Sequence, residues 1–212
     1  MPAPAFDAPF TESFQQLLAW RRDVRHFKAD AVEPALLDWL LAKAALAPSV
    51  GLSQPWRFVL VQDAGLRAGV LEDFERSRAE AEAGIPVEKR GAYGRAKLEG
   101  LREAPVHLAA FTDTGTHQGH GLGVYSMPEC LHYSTVMAVH TLWLAAQLRG
   151  LGMGWVSILQ PRDIAARLSV PAGWELTAYL CLGYPAFESQ RPELESTGWE
   201  QRRPPEGWLL RR

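Results

Sequence analysis

Apolar residues recur along this chain in two rhythms, and the changes of rhythm mark out its elements. Phe14, Leu17, Leu18 and Trp20 fall on one helical face behind Thr11, a candidate N-cap, so a short first helix is expected there. Residues 1–10 carry three prolines and are expected to run extended ahead of it. Pro34 suits a helical first turn, Leu37, Leu40, Leu41, Ala44 and Ala45 repeat at helical spacing, and Pro48 stops the run. Trp56 to Gln62 is rich in aromatic and β-branched residues between turn formers and reads as a strand.

From about residue 64 to residue 101 the chain is rich in Ala, Glu and Arg and helical in character, broken near Gly84-Ile85-Pro86. Its apolar stripe is thin, which fits a lid, a subunit-contact arm or a solvated helical hairpin equally. Val106 to Thr112 reads as a strand, and a glycine-rich loop follows it. Pro128 to about Arg149 predicts the longest helix, apolar all round and therefore central, with Gly150 as its C-cap. Met153 to Leu159 reads as a strand, Pro161 to Leu168 as a short helix, and Leu176 to Leu182 as a further strand. The tail, about 186–212, is polar, with Trp199 and Trp208 as its large anchors, and is expected to wrap onto something such as a partner subunit. Long helical stretches between few strands, with neither repeat nor linker, point to one α+β domain spanning residues 1–212.

Composition narrows the class of function. A net charge of −2 gives no global basic field for nucleic acid or anionic lipid. No apolar run reaches membrane-spanning length and no leader pattern opens the chain, so the expected location is cytoplasmic. Cys130 and Cys181 form neither a disulfide framework nor a zinc spacing and are expected as buried thiols.

Candidate chemistry concentrates at Arg21-Arg22-Asp23-Val24-Arg25. Three guanidiniums close in sequence suit a phosphate, because Arg presents planar, bidentate donors. Asp23 among them is a base or a brace for the arginines. The alternative is a basic helix end that complements the helix dipole. Gly119-His-Gly121-Leu-Gly123 looks like a dinucleotide fingerprint, but Val124 occupies the third glycine position and no helix starts within it. His117 and His120 beside Asp113 are polar loop residues rather than metal ligands, since a glycine-rich loop fixes ligand geometry poorly. No metal is expected. His132 and His140 are expected as hydrogen-bonded residues of the buried helix. Ser157 is a local strand-end hydroxyl or a well-placed group in a ligand pocket.

The ordered set of motifs carries more than any one of them. Arg21-Arg22-Asp23-Val24-Arg25, then Ala47-Pro48-Ser49 and Val50-Gly51-Leu52-Ser53-Gln54-Pro55-Trp56-Arg57, then Gly123 to Glu129, Gly154-Trp155-Val156-Ser157 and Leu182-Gly183-Tyr184-Pro185 together resemble the flavin-binding nitroreductase superfamily. The resemblance runs over nearly the full chain. Ordinary members carry serine where Asp23 stands and often asparagine within the loop written here Gly51-Leu52-Ser53. Both departures resemble instead the branch that destroys reduced FMN to make 5,6-dimethylbenzimidazole, the lower ligand of vitamin B12.

That resemblance implies a nitroreductase-like α+β fold, a central mostly antiparallel sheet flanked by helices, dimeric, with a C-terminal extension reaching the partner. It implies reduced FMN as substrate, molecular oxygen as co-substrate, erythrose 4-phosphate as second product and a separate flavin reductase as supplier. Arg21, Arg22 and Arg25 would hold the phosphate and ribityl end, with Val24 between them. Ser53 and Gln54 would meet the ring edge, and Trp155, Val156 and Ser157 the ring system. Asp23 and Ser157 are the implied catalytic pair. Two other classes stay open: an NAD(P)H-dependent nitroreductase or flavin reductase that recycles FMN, and a non-catalytic flavin carrier.

Overall fold

The computed structural model describes residues 4–212. Four strands form one antiparallel sheet in the order β1-β2-β4-β3, with β1 at Trp56–Leu60, β2 at Val106–Asp113, β3 at Gly152–Val156 and β4 at Trp174–Gly183. Strand residues alternate between two faces, and here both faces are covered. Leu108 and Ala110 of β2 and Ala178, Leu180 and Leu182 of β4 join one core, with α2 (Pro34–Ala44) and α5 (Cys130–Leu148). Ala109, Phe111, Tyr179 and Cys181 join the other, with α3 (Ala64–Glu82) and α6 (Pro161–Arg167). A two-sided sheet explains why β2 and β4 are apolar at nearly every position instead of alternating.

Several expectations are corrected. The first helix, α1, runs Ala8–Trp20 and is capped by Asp7, whose carboxylate accepts from Phe10 N–H at 2.9 Å. Pro9 therefore lies in its first turn, where a missing N–H costs nothing, and Thr11 lies inside the helix. The expected extended run covers only the segment before Ala8, and its residues 1–3 lie outside the described ones. The central helix α5 is apolar on most sides but not buried on all of them: Tyr133, Val136 and Met137 are exposed. His140 is exposed and His132 pairs with Glu175 at 3.1 Å, so neither is a core histidine. Cys130 is only partly buried, whereas Cys181 is fully buried.

The helical stretch after residue 64 divides in two. Val70 and Phe74 put α3 into the core, and the buried Asp73 accepts from Gln160 N–H at 2.8 Å, so α3 is anchored to the body. The short helix α4 (Val87–Arg95) is fastened differently, by the tail. Arg95 donates to Thr197 O at 3.0 Å, Lys97 N–H donates to the Glu193 carboxylate at 2.9 Å, and Lys89 donates to Trp199 O. Trp199 and the last helix, α7 (Glu193–Ser196), thus pack against α4 of their own chain. Trp208, Leu209 and Leu210 do stay exposed.

Candidate functional site

The arginine segment is attached to β3, the edge strand of the sheet, and two glycines let it lie flat there. A Cβ on Gly154 would stand 2.1 Å from Val24 O, and one on Gly152 would stand 2.8 Å from the Val24 side chain. Only a strand bare at both positions admits the segment. Val24 N–H donates to Met153 O at 3.0 Å, and Asp23 and Met153 form a parallel bridge. An edge strand leaves N–H groups unpaired, and Asp23 supplies one partner: its Oδ1 accepts from Trp155 N–H at 2.9 Å. Its other oxygen takes both Nε and Nη2 of Arg25.

The three arginines diverge. Arg25 lies on Asp23, with Nη1 3.3 Å from Lys97 O. Arg21 stacks over Trp143 at 4.8 Å from the ring centroid. Arg22 donates to the carbonyls of Ala19, Arg21 and Gln190. Burial pushes the pKa of Arg21 down; Asp23 opposes this, and the charge of Arg202 adds to it. Burial likewise lowers Arg22, with Arg202 as the next cause. Arg202 thus adds its positive charge to the field at Arg21 and Arg22. Nothing in the spacing of the polar tail marks it out.

Two cavities flank the segment. One of about 510 Å³ lies between residues 22–28 and the chain around Tyr184 to Arg191, with Arg22, Lys28 and Arg191 on its walls. The other, about 230 Å³, carries Ser157 and Arg25 together with Trp155, Leu98, Tyr93 and Trp199. Arg25 lines both cavities and Asp23 the larger one; the smaller is the better candidate because Trp155, whose N–H Asp23 holds, and Ser157 line it and not the other. Ser157 follows β3 directly and is exposed, while Val156 buries its side chain in the core and offers only its backbone.

Ser53 and Gln54 stand elsewhere. Their loop closes on the N-terminal half of α5, where Val50 N–H donates to Ser134 Oγ at 3.0 Å, whereas Trp143 Nε1, further along α5, donates to Arg22 O at 3.1 Å. Nine residues of helix, roughly 13 Å, separate the two attachments. Neither cavity is lined by Ser53 or Gln54. The loop is tightly built: Gly51, Leu52 and Gln54 have φ of 56°, 55° and 41°, in the left-handed region that disfavours side chains. Ser53 Oγ is buried with no hydrogen-bond partner, a costly arrangement that a ligand acceptor would relieve. Gln54 Oε1 accepts from Gln118 at 3.1 Å. No cluster of three or more His, Cys, Asp or Glu side chains suited to a metal occurs among the described residues.

The chain belongs to the nitroreductase family, whose model matches residues 18–184. Within the family it groups with the 5,6-dimethylbenzimidazole synthases: it is 56% identical to that of Rhodospirillum rubrum, over 95% of both chains. It is 43% identical to one from Rhodobacter capsulatus, covering 95% of this chain and 97% of that one. Among solved structures, iodotyrosine deiodinase bound to FMN and 3-iodo-L-tyrosine superposes with a TM-score of 0.71 at 26% identity, covering 82% of this chain and 91% of the other.

Proposed function

We propose that this protein fragments reduced FMN with molecular oxygen, yielding 5,6-dimethylbenzimidazole and erythrose 4-phosphate for the lower ligand of cobalamin. The observation that carries the reading is the Asp23 brace. One carboxylate holds Arg25 and the Trp155 N–H, and both of those groups wall the cavity that presents Ser157. The similarity to the synthases named above supports the same reading, and the FMN-bound deiodinase supports flavin as the ligand.

The residues fit FMN on two counts. The charges of Arg21, Arg22 and Arg202 act on one another, Arg25 pairs with Asp23 and Glu195 lies beside Arg202, leaving positive charge for a phosphate. The unpartnered Ser53 hydroxyl awaits an acceptor. Arg21, Arg25 and Arg202 hold the phosphate and ribityl end, while Trp155 and Ser157 meet the ring. Reduced FMN supplies the electrons that oxygen takes up. The protein binds and orients the flavin, excludes water and moves protons. Asp23 serves as base or relay near the ribityl chain, and a positioned base is worth about two to four orders of magnitude in rate.

We further propose that Ser53 and Gln54 reach this site from a second copy of the chain. Leu52, Leu122, Tyr125, Tyr133, Val136 and Met137 are all exposed around their half-site, and a large exposed apolar patch marks an interaction surface. The working unit is then a homodimer. It works in the cytoplasm, where a separate flavin reductase supplies the reduced flavin, and α4 with its tail clasp is the lid that excludes water. No helix among the described residues is long and apolar enough to cross a membrane.

The test is direct. Purified protein is mixed anaerobically with chemically reduced FMN, air is admitted, and 5,6-dimethylbenzimidazole is sought by mass. Its appearance in proportion to enzyme supports the reading. Rapid NADPH oxidation with FMN recovered intact overturns it in favour of a conventional reductase.

A further inference from the structure

The cavity beside Ser157 has a polar group that the sequence did not single out. Tyr93, on α4, is only 7% exposed, and its hydroxyl has no hydrogen-bond partner. A buried hydroxyl without a partner is costly, so a native structure that keeps one calls for a reason. The ring is held on two sides: the Arg78 guanidinium lies 5.7 Å from its centroid, and the Trp199 ring lies 6.0 Å away. Trp199 is itself fixed through its carbonyl, which accepts from Lys89. These contacts set the ring plane and leave the hydroxyl uncommitted.

The rest of the cavity says what would satisfy it. Leu98, Ile158 and Leu194 give aliphatic walls, Trp155 and Trp199 aromatic ones, and Arg25, Ser157 and Tyr93 are the polar groups among them. That lining suits a flat aromatic heterocycle with acceptor atoms on its edge, with Arg25 at the margin where its ribityl chain would leave. We propose that Tyr93 is a ligand-contacting residue whose hydroxyl donates to the ring system of the bound flavin, opposite the β3 wall that carries Ser157. This rests on the flavin reading above. It assigns α4 a direct contact with the substrate in addition to covering it.

The test uses Tyr93→Phe in the full-length protein, which keeps the ring and its contacts with Arg78 and Trp199. Oxidised FMN and riboflavin serve as probes, with affinities read from flavin fluorescence and stability from thermal melts. Loss of one hydrogen bond should weaken both probes about 3–10-fold. Removing the orphaned hydroxyl should also raise the melting temperature of the ligand-free protein by about 2–4 °C. A purely structural hydroxyl would instead leave affinity unchanged, with the melting temperature unmoved or lower, and that result overturns the proposal. Weakened FMN with unchanged riboflavin also overturns it, since the contact would then be to phosphate. Failure of the wild-type protein to make 5,6-dimethylbenzimidazole would sink the proposed reaction while leaving these binding results to decide the role of Tyr93.

Discussion

The two ends of α5 carry two half-sites of opposite character. At the C-terminal end the chain is charged and braced, because Asp23 pairs with Arg25 and also caps an open N–H of β3. At the N-terminal end the loop around Ser53 is nearly uncharged and is held by backbone geometry: three consecutive-region residues sit at positive φ, and Gly119 and Leu122 press close on Gly51. One half-site supplies electrostatics and the other supplies shape. On the proposed reading the two meet across two chains, and the difference teaches that a buried hydroxyl left without a partner, as at Ser53, is a clue to follow.

The largest expected effect breaks the charged half. Asp23→Asn keeps the size of the side chain and an acceptor for Trp155 N–H but loses the anion. Product formation should fall about 10²–10⁴-fold while FMN still binds, as measured by product mass and flavin fluorescence. Near wild-type turnover would remove Asp23 from the chemistry.

Mixing variants tests whether the halves meet across two chains. Gly51→Val should disable the loop, since a Cβ there already comes within 3.0 Å of Leu122 O at a φ of 56°. Refolding equal amounts of Asp23→Asn and Gly51→Val chains should restore about a quarter of wild-type activity, because half the pairs are mixed and each mixed pair has one intact site. A site contained in one chain gives no recovery.

Acid should loosen the sheet beneath the charged half. His107, on β2, is buried with Nδ1 3.0 Å from Tyr179 OH, and burial followed by the charge of Arg67 pushes its pKa from 6.5 down to about 4. The folded state therefore binds this proton later than the unfolded chain does. Stability is fully present above pH 6.5 and declines as pH falls from 6.5 towards 4, by about 3 kcal/mol in all. His107→Gln should flatten that part of a stability-against-pH curve from denaturant titrations; an unchanged slope would place the acid sensitivity elsewhere.

The smallest effect belongs to the shape-built half. Ser53→Ala removes the orphaned hydroxyl, so FMN affinity should drop about 2–10-fold with no loss of stability in the free protein. A variant that melts lower and binds FMN normally would make Ser53 a structural residue.

Much of the architecture was legible because burial on both sheet faces writes apolar runs into β2 and β4, and because Gly84-Ile85-Pro86 and Gly150 stop helices locally. The candidate site was legible where a motif is contiguous. Arg21 to Arg25 and Gly154 to Ser157 could be quoted as strings, and the two meet because Gly152 and Gly154 carry no side chain. Helix edges misled: Thr11 looked like a cap, yet Asp7 sits before Pro9 and takes the role. His132 and His140 looked buried because hydropathy averages over a helix whose one face is left exposed.

By itself the sequence determined the order of elements and the family pattern, since each depends on residues near one another in the chain or on their spacing. Asp23 and Ser157 became a pair worth testing only through the family resemblance. Only the tertiary structure decided that Arg22 reaches Gln190, that Arg202 in the tail adds its charge at Arg21 and Arg22, that Trp199 closes on its own α4, and that Tyr93 lies beside Ser157. Those are contacts between segments tens of residues apart or more. They are set by which faces the sheet leaves free and by how the tail returns, and no local rhythm of apolar and polar residues encodes them.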